Sequence, residues 1–392
     1  IVGDDGETHQ GLFDIPMLLP IPNIVIFSPS TGTELSVMLE RAVNSETKSC
    51  VIRYPRGNCI EYTDLPFKNA QKDWDILANG YETVVISYGR EITDVLTAAS
   101  GEKVDIIKLN VINAFGKSLL SALLKYKNIV DVHTHSIHSF DGNDSVEALC
   151  LAAIEKGAKV LAVTDHCDID GKDMVVDELC PPQLKDLNDC INKYGDEIEI
   201  LKGIEIGQGI YRKKETEALL KKYDYDFVLG SLHNLENMED FFFLDYKNYD
   251  IDELLTRYFD GLLELCQWGA FDSLAHLTYP LRYIVAREKI NVDMNKYQDV
   301  CDAIFEELIK NDKALEINTS GLFMDMKDTL PNISFVKRYK KLGGRYITVG
   351  SDSHYANRVC QGIEQGLDIA RAAGFDSVTV FEKRQPRLIT IE

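Results

Sequence analysis

The sequence predicts an α/β chain in two unequal parts, with a parallel barrel of seven or eight βα units filling the larger, C-terminal part. Three observations predict it. Seven of the eight histidines follow residue 130 and only His9 precedes it, which sets a boundary near Asn128 with no Pro- or Ser-rich linker. From there, short β-branched runs alternate with longer stretches of helical spacing over about 260 residues, the pattern of parallel βα units. Polar residues gather at the C-terminal ends of those runs, where such barrels build their sites.

Before the boundary the pattern is less regular. "NIVIFSPS" (23–30), "SCVIRYP" (49–55) and "YETVVISYG" (81–89) read as strands, and "TELSVMLERAVN" (33–44) and "EITDVLTAAS" (91–100) as helices. This part is α/β as well, but too short for a nucleotide-binding sheet plus a substrate domain. After the boundary, strands are expected at 128–133, 159–166, 199–206, 227–233, 271–276, 314–318 and 345–354. The clearest helices are "SVEALCLAAIEKGA", "DELLTRYFDGLLELCQ", "YQDVCDAIFEELIKND" and "GIEQGLDIARAAG", of which "KGA" and "AAG" carry glycines suited to a helix C-terminus.

The totals bound the function. With 392 residues and 45% hydrophobic content the chain can bury a sizeable core in two or three domains. A formal net charge of -21 repels phosphate backbones, so no nucleic-acid partner is expected, although a metal site can reverse the sign locally. Nine scattered cysteines without a CxxC pair read as reduced thiols of a cytoplasmic protein. No apolar run approaches the roughly 18 residues of a membrane span, and no signal peptide is visible. The chain opens at Ile1, as a processed product or a piece of a longer gene would.

The strand ends carry the chemistry. His133 and His135 end the first strand, Asp165 and His166 the second, Glu205 the third, His233 the fourth and His276 the fifth, while Asp352 and His354 follow the seventh. Positions i and i+2 of a strand share a face, so His133 and His135 can grip one ion, and Asp352 and His354 repeat the arrangement. A carboxylate such as Glu205 can bridge two ions. This donor set exceeds one coordination sphere, so two or three divalent ions are expected, and mixed imidazole and carboxylate donors suit Zn, Mn or Fe. Asp141 stands in a "DG" turn and reads equally as turn former or ligand. His138 has the wrong parity to join His133 and His135, which leaves it a substrate-facing place, a place behind the ligands or plain surface.

"DVHTH", "TDH", "GIEI", "GSLHN", "LAHL" and "GSDSH" occur in the order found in the PHP (polymerase and histidinol phosphatase) superfamily, and residues 131–392 resemble its histidinol-phosphatase branch. The resemblance implies a distorted (β/α)7 barrel with a trinuclear metal site. It implies a first ion on His133, His135, Glu205 and Asp352, a second on Glu205, His233 and His276, and a third on Asp141, His166 and His354, which makes Asp141 a ligand. "LEINTSGL" (315–322) also resembles the phosphatase branch. Family members often carry a basic residue just after it, but Phe323 and Met324 follow here. Arg282 in "YPLRY" is therefore the expected phosphate contact, since a guanidinium fork matches phosphate oxygens. His138 is carried as a second substrate contact.

The reaction so implied is hydrolysis of a small phosphate monoester, L-histidinol phosphate of histidine biosynthesis, by a metal-bound hydroxide attacking phosphorus directly. Glu205, Asp352 and His354 are its expected catalytic residues, with Asp352 or His354 protonating the departing alkoxide. The alternatives are a PHP phosphoesterase for another phosphate ester or a nucleic-acid end, or a fragment of a thiamine-diphosphate-dependent synthase.

That last alternative rests on the first 130 residues. "GDDGETHQGLFDIPMLLPIPN" (3–23), "VIRYPRG" (51–57) and "VINAFGKSLLSALLKYKNIV" (111–130) resemble 1-deoxy-D-xylulose-5-phosphate synthase, a transketolase-like enzyme. The resemblance divides the segment into a partial pyrimidine-binding part (1–75) and a partial C-terminal part (76–130), and implies that His9 and Arg56 face a sugar phosphate. The diphosphate-binding domain and the activating glutamate have no counterpart in this sequence, so functional thiamine diphosphate is not expected. The segment reads as a truncated remnant, as a docking module that makes a homodimer, or as the tail of a longer synthase.

Overall fold

The computed structural model describes residues 13–44, 46–54, 66–67, 70–81, 83–124, 128–169 and 176–391, and the chain divides into two compact units, Ile1–Tyr126 and Lys127–Glu392. His9 and Arg56 lie outside the described residues.

In the first unit a short helix, α1 (Asp14–Leu18), precedes β1 (Ile24–Phe27), α2 (Gly32–Asn44) and β2 (Ser49–Ile52), and the two strands pair in parallel. A three-stranded sheet follows, with β3 (Trp74–Leu77) antiparallel and β4 (Thr83–Tyr88) parallel to β5 (Val104–Leu109). The expected division at residue 75 falls inside β3. Helix α3 (Ile92–Ala98) connects β4 to β5, and α4 (Lys117–Leu124) ends the unit. "TGTE" starts α2 because the Thr31 hydroxyl accepts the Glu34 N–H (3.1 Å) while the Glu34 carboxylate accepts the Ser30 N–H (2.7 Å). The same carboxylate pairs at 3.0 Å with the ammonium of Lys108, whose side chain is fully buried.

The second unit is a parallel barrel. Its strands are β6 (Ile129–Asp131), β7 (Ala158–Val163), β8 (His166–Asp168), β9 (Glu199–Gly207), β10 (Phe227–Ser231), β11 (Ser273–Leu274), β12 (Ala314–Asn318) and β13 (Ile347–Gly350). Segments β7 and β8 lie end to end along β9, so the described strands fill seven positions, each beside its neighbour in sequence. All seven runs read from the sequence are present. The barrel closes where the chain leaving β13 meets the chain leaving β6: Val132 N–H donates to Val349 O (3.2 Å), Asp352 N–H to His133 O (2.8 Å) and His135 N–H to Ser353 O (2.8 Å). Buried Asp131 bolts this seam by accepting the Ser351 N–H (2.8 Å), the Ser351 hydroxyl (2.6 Å) and the Cys360 N–H (2.7 Å).

Helices α5 (Val146–Glu155), α6 (Val176–Tyr194), α7 (Lys213–Lys222), α8 (Ile251–Trp268), α9 (Gln298–Lys310), α10 (Ile333–Leu342) and α11 (Ile363–Ala372) connect the strands. Helix α5 starts at Ser145, whose side chain accepts the Ala148 N–H, and gives way to Gly157 at φ 72°; Gly374, after α11, has φ 94°. The spacing left α6, α7 and α10 unnamed. Two prolines stand inside α6, α7 is dominated by charge, and α10 is short.

A hairpin, β14 (Ser377–Glu382) with β15 (Gln385–Thr390), ends the unit. It lies against the strand beginnings: Arg384 N–H donates to Asp226 O (2.8 Å), the Arg384 guanidinium pairs with Asp272, and the Thr379 hydroxyl accepts the Ile347 N–H (3.2 Å). Phe381 stacks on Phe227 with centroids 5.6 Å apart. The N-terminal end of the barrel is thus engaged in packing, and the C-terminal end is left for chemistry.

The seam leaves no room for a side chain at Gly350, where an added Cβ would stand 2.3 Å from the His133 Cβ and 2.7 Å from a Glu316 carboxylate oxygen. Gly350→Ala is expected to destabilise the fold by about 1–3 kcal/mol through overpacking. Chemical denaturation measures this, and an unchanged midpoint would refute it.

Candidate metal centre

Glu205 lies at the middle of the site. Strand β9 is buried over most of its length and turns this carboxylate into the C-terminal mouth of the barrel, where it is wholly buried. Its Oε1 stands 3.1 Å from His233 Nε2 and 3.0 Å from His276 Nε2. Its Oε2 stands 3.0 Å from His166 Nδ1, 3.3 Å from His133 Nε2 and 3.6 Å from His135 Nε2. One carboxylate therefore faces five imidazoles from four other strand ends.

Asp352 and His354 complete the ring. Asp352 Oδ1 is 3.4 Å from His135 Nε2 and 3.7 Å from His133 Nε2. Its Oδ2 accepts from Asn318 (3.2 Å), Ser320 (3.3 Å) and Arg282 (3.3 Å), which fixes the carboxylate's orientation. Both Asp352 (φ 52°) and His276 (φ 21°) have left-handed backbone, a strain that persists where surrounding contacts hold it. His354 Nε2 lies 3.0 Å from Asp141 Oδ2, and His166 Nε2 lies 3.7 Å from Asp141 Oδ1. The His135 ring stacks against both His166 and His354, each 4.2 Å away.

This donor set fits cations. Three clusters have mutually close ligand atoms: His133–His135–Glu205, His166–Glu205–His233 and His135–His166–His354. Nitrogens face nitrogens, with His133 Nε2 3.1 Å from His135 Nε2 and His233 Nε2 3.4 Å from His276 Nε2, so at most one of each pair can direct a proton at the other. The buried Nδ1 atoms of His166 and His276 and Nε2 of His354 have no hydrogen-bond partner, although His166 and His354 lie 3.0 Å from carboxylate oxygens. Lone pairs that approach carboxylates out of hydrogen-bonding direction match ligands aimed at a common ion.

The electrostatics agree. Burial works against charge on Glu205, but His133, His166 and His233 outweigh it and hold its pKa well below the usual carboxylate range. Asp352 is likewise held well below, with burial overcome by His133, His135 and Arg282. His133 is raised well above the ordinary imidazole value, because Glu316, Glu205 and Asp352 overcome burial. His135 is pushed well below it by burial and by the neighbouring His166 and His354.

Behind the ligand atoms stand two carboxylates that the sequence reading missed. Glu316 on β12 meets His133 Nδ1 at 2.6 Å with one oxygen and accepts the His276 N–H at 2.7 Å with the other. Asp168 on β8 faces His233 Nδ1 at 3.4 Å. The signal was present for Asp168, which stands two residues after His166, the same parity that paired His133 with His135. Asp165, counted among the polar strand ends, does another job. It accepts from Ser136 N–H (2.6 Å), Ser136 Oγ (2.8 Å), Ser139 Oγ (2.9 Å) and Gln183 (2.9 Å), and so shapes the loop that carries Asp141.

A cavity of about 280 Å3 opens over the cluster, lined by Asp141, His166, His233, His276, Asp352 and His354 on one side and by Arg282 and aromatic rings on the other. Arg282 is buried at the start of a wide helical turn in which Glu288 N–H reaches back to Tyr283 O (2.9 Å), and its Nε has no partner. His138 is turned away: its Nε2 meets Asp186 on α6 at 2.9 Å, and it does not line the cavity.

A parallel barrel with a histidine- and carboxylate-lined cavity at its C-terminal mouth defines the class: a metal-site barrel. The chain belongs to the PHP family, and the PHP domain model matches residues 131–320. A probable histidinol-phosphatase of Clostridium acetobutylicum is 30% identical over 261 residues, 65% of this chain and 98% of that relative. The crystal structure of histidinol phosphate phosphatase from Lactococcus lactis, complexed with zinc, L-histidinol and phosphate, shares the fold, with a TM-score of 0.58 at 24% identity over 66% of this chain and 99% of that one. The first unit is similar to something else. The transketolase pyrimidine-binding-domain model matches residues 1–60, and a 1-deoxy-D-xylulose-5-phosphate synthase of Clostridium perfringens is 35% identical over 132 residues. This chain spans only 21% of that synthase.

Glu316 touches two candidate ligand residues, His133 and His276, at once. Glu316→Gln is expected to weaken divalent-metal binding about 10- to 100-fold, as loss of a carboxylate behind a ligating histidine does elsewhere. Metal-binding calorimetry checks this, and wild-type affinity in the variant would refute it.

Proposed function

We propose that the C-terminal unit is a metal-dependent phosphomonoesterase that hydrolyses L-histidinol phosphate to histidinol and phosphate. The observation that carries the reading is the pairing of a cluster fit for several cations with a buried arginine, Arg282, whose guanidinium borders the same cavity with an unpartnered Nε. The histidinol-phosphatase relatives and the L-histidinol and phosphate named in the Lactococcus lactis structure support the choice of substrate.

In this reading His133, His135, Glu205 and Asp352 hold one ion, Glu205, His233 and His276 a second, and Asp141, His166 and His354 a third. The donor set accepts Zn, Mn or Fe. Bound divalent ions supply an acidified water and offset phosphoryl charge. Arg282 then binds the phosphoryl oxygens, and its bond to Asp352 keeps the guanidinium aligned. Glu205 stays ionised and keeps the imidazoles directed inward. His354 lines the cavity with a side chain 23% exposed and turns its Nδ1 to the Asp352 carbonyl at 3.1 Å, which leaves Nε2 for the ion; the departing alkoxide oxygen takes its proton from water entering the open cavity, while Asp352, with Oδ2 occupied by three donors, acts as a fixed acceptor.

The N-terminal unit has no catalytic part in this reading; we take its two sections, 1–75 and 76–130, as remnants of a synthase fold. Among the described residues no helix is long and apolar enough to cross a membrane, and eight cysteines are thiols, in keeping with a cytoplasmic setting.

Purified protein is expected to release inorganic phosphate from L-histidinol phosphate and to stop when the metal is chelated. Arg282→Ala is expected to lower kcat/KM about 10- to 100-fold, the value of charge-assisted hydrogen bonds. Failure to release phosphate from L-histidinol phosphate, nucleotides or sugar phosphates would overturn the proposal.

A further inference from the structure

The cavity is polarised along its length, and Tyr279 measures the polarity. Its ring stands 5.0 Å from both His233 and His276 and carries the Arg282 guanidinium 4.8 Å above its face. Its hydroxyl points the other way and donates to Asp240 at 3.1 Å. Asp240 thus lines the same cavity at the other end of the tyrosine. The lining carboxylates Asp141 and Asp352 face histidines, whereas Asp240 faces the Tyr279 hydroxyl and the Phe242 N–H (2.6 Å), both of which meet its Oδ1. Its Oδ2 has only the longer 3.4 Å approach of the tyrosine hydroxyl.

Around this carboxylate the lining is aromatic and open. Phe242 and Phe243, close after Asp240 in the chain, are 51% and 68% exposed, while Phe140, on the His166 side of the cavity, is 80% exposed. The segment is braced. Arg287 donates to Phe242 O (2.7 Å) and lies over the rings of Phe242 and Tyr283 at 5.7 and 5.2 Å, and Phe140 stacks on His166 at 5.2 Å. One end of the cavity therefore presents the Arg282 guanidinium and imidazoles, and the other a carboxylate beside exposed rings.

We propose that Asp240, with the rings of Phe242 and Phe243, is the specificity site for the organic half of the substrate, and that it selects phosphate monoesters of cationic amino alcohols bearing a flat ring. This rests on the phosphatase reading and goes further by naming the residue that chooses the leaving group. A carboxylate beside aromatic faces binds an ammonium or imidazolium by charge and by the ring quadrupole together. Because the contact is remote from phosphorus, it acts on binding of the cationic ester and leaves the attack on phosphorus unchanged.

The test uses the full chain loaded with metal, with L-histidinol phosphate and p-nitrophenyl phosphate, whose leaving group carries no cation. Asp240→Asn is expected to raise KM for L-histidinol phosphate at least about 10-fold with kcat little changed, and to lower kcat/KM far more for L-histidinol phosphate than for p-nitrophenyl phosphate. Asp240→Glu is expected to recover part of the loss. An equal fall on both substrates would make Asp240 a structural residue and overturn the proposal, as would an unchanged KM for L-histidinol phosphate. Wild-type protein that cleaves neither ester would refute the phosphatase reading beneath it. Wild-type protein that cleaves p-nitrophenyl phosphate without preference for L-histidinol phosphate would refute only the selection assigned to Asp240.

Discussion

The barrel's C-terminal mouth is organised around one buried anion. Glu205 has two oxygens, and five imidazoles from four other strand ends divide between them. A carboxylate taken out of water is costly unless positive charge or aligned donors surround it. That requirement explains much of the neighbourhood. Histidines must arrive from several strands at one depth, so the strands must be in register, and the closing seam must bring Asp352 to the same level as His133 and His135. Glu316 and Asp168 in turn hold the rings by their outward nitrogens, which leaves the inward nitrogens for the centre.

Most of this was legible in the sequence, because period-two patterning and strand-end histidines are local signals. The seven strand positions follow from such signals alone. What escaped had other causes. The hairpin at 377–390 has no polar strand end to announce it, and non-glycine residues, Lys383 and Arg384, take the left-handed turn that Asn-Gly would have advertised. Glu316 sits within an otherwise ordinary apolar strand, "ALEIN", and reveals its role only when β11 and β12 place it beside the His276 backbone. Asp165 and Glu205 look alike as carboxylates at strand ends, yet one is saturated by hydroxyl and amide donors and the other faces imidazoles. Asp240 could not be found by strand reasoning because it lies in the loop between β10 and α8.

The two ends of the barrel use charge in opposite ways. At the strand beginnings, Asp226 and Asp272 are occupied by the hairpin's Arg384 and by backbone amides, so their charge is spent on architecture. At the strand ends, Glu205 is left facing imidazole nitrogens, and Asp352 divides its oxygens between imidazoles and the Arg282 guanidinium. With this asymmetry a chain of net charge -21 can present a cavity to an anionic ester, since cations held there would join Arg282 in offsetting the local carboxylates.

The backbone at Asp352 carries one more consequence. A residue with φ of 52° stands where short polar side chains are tolerated best, because aspartate and asparagine enter this region more readily than longer or branched residues. Glu205, on extended strand, is under no such restriction and spans the gap with a longer side chain. The two acidic positions are therefore not interchangeable in drift. The strand can exchange glutamate for glutamine at little conformational cost, whereas the turn admits asparagine and glycine and resists glutamate. If a descendant of this chain lost its chemistry while keeping its fold, Asp352 would be expected to pass to asparagine or glycine, and the identity of that one residue would record whether the site had been retired.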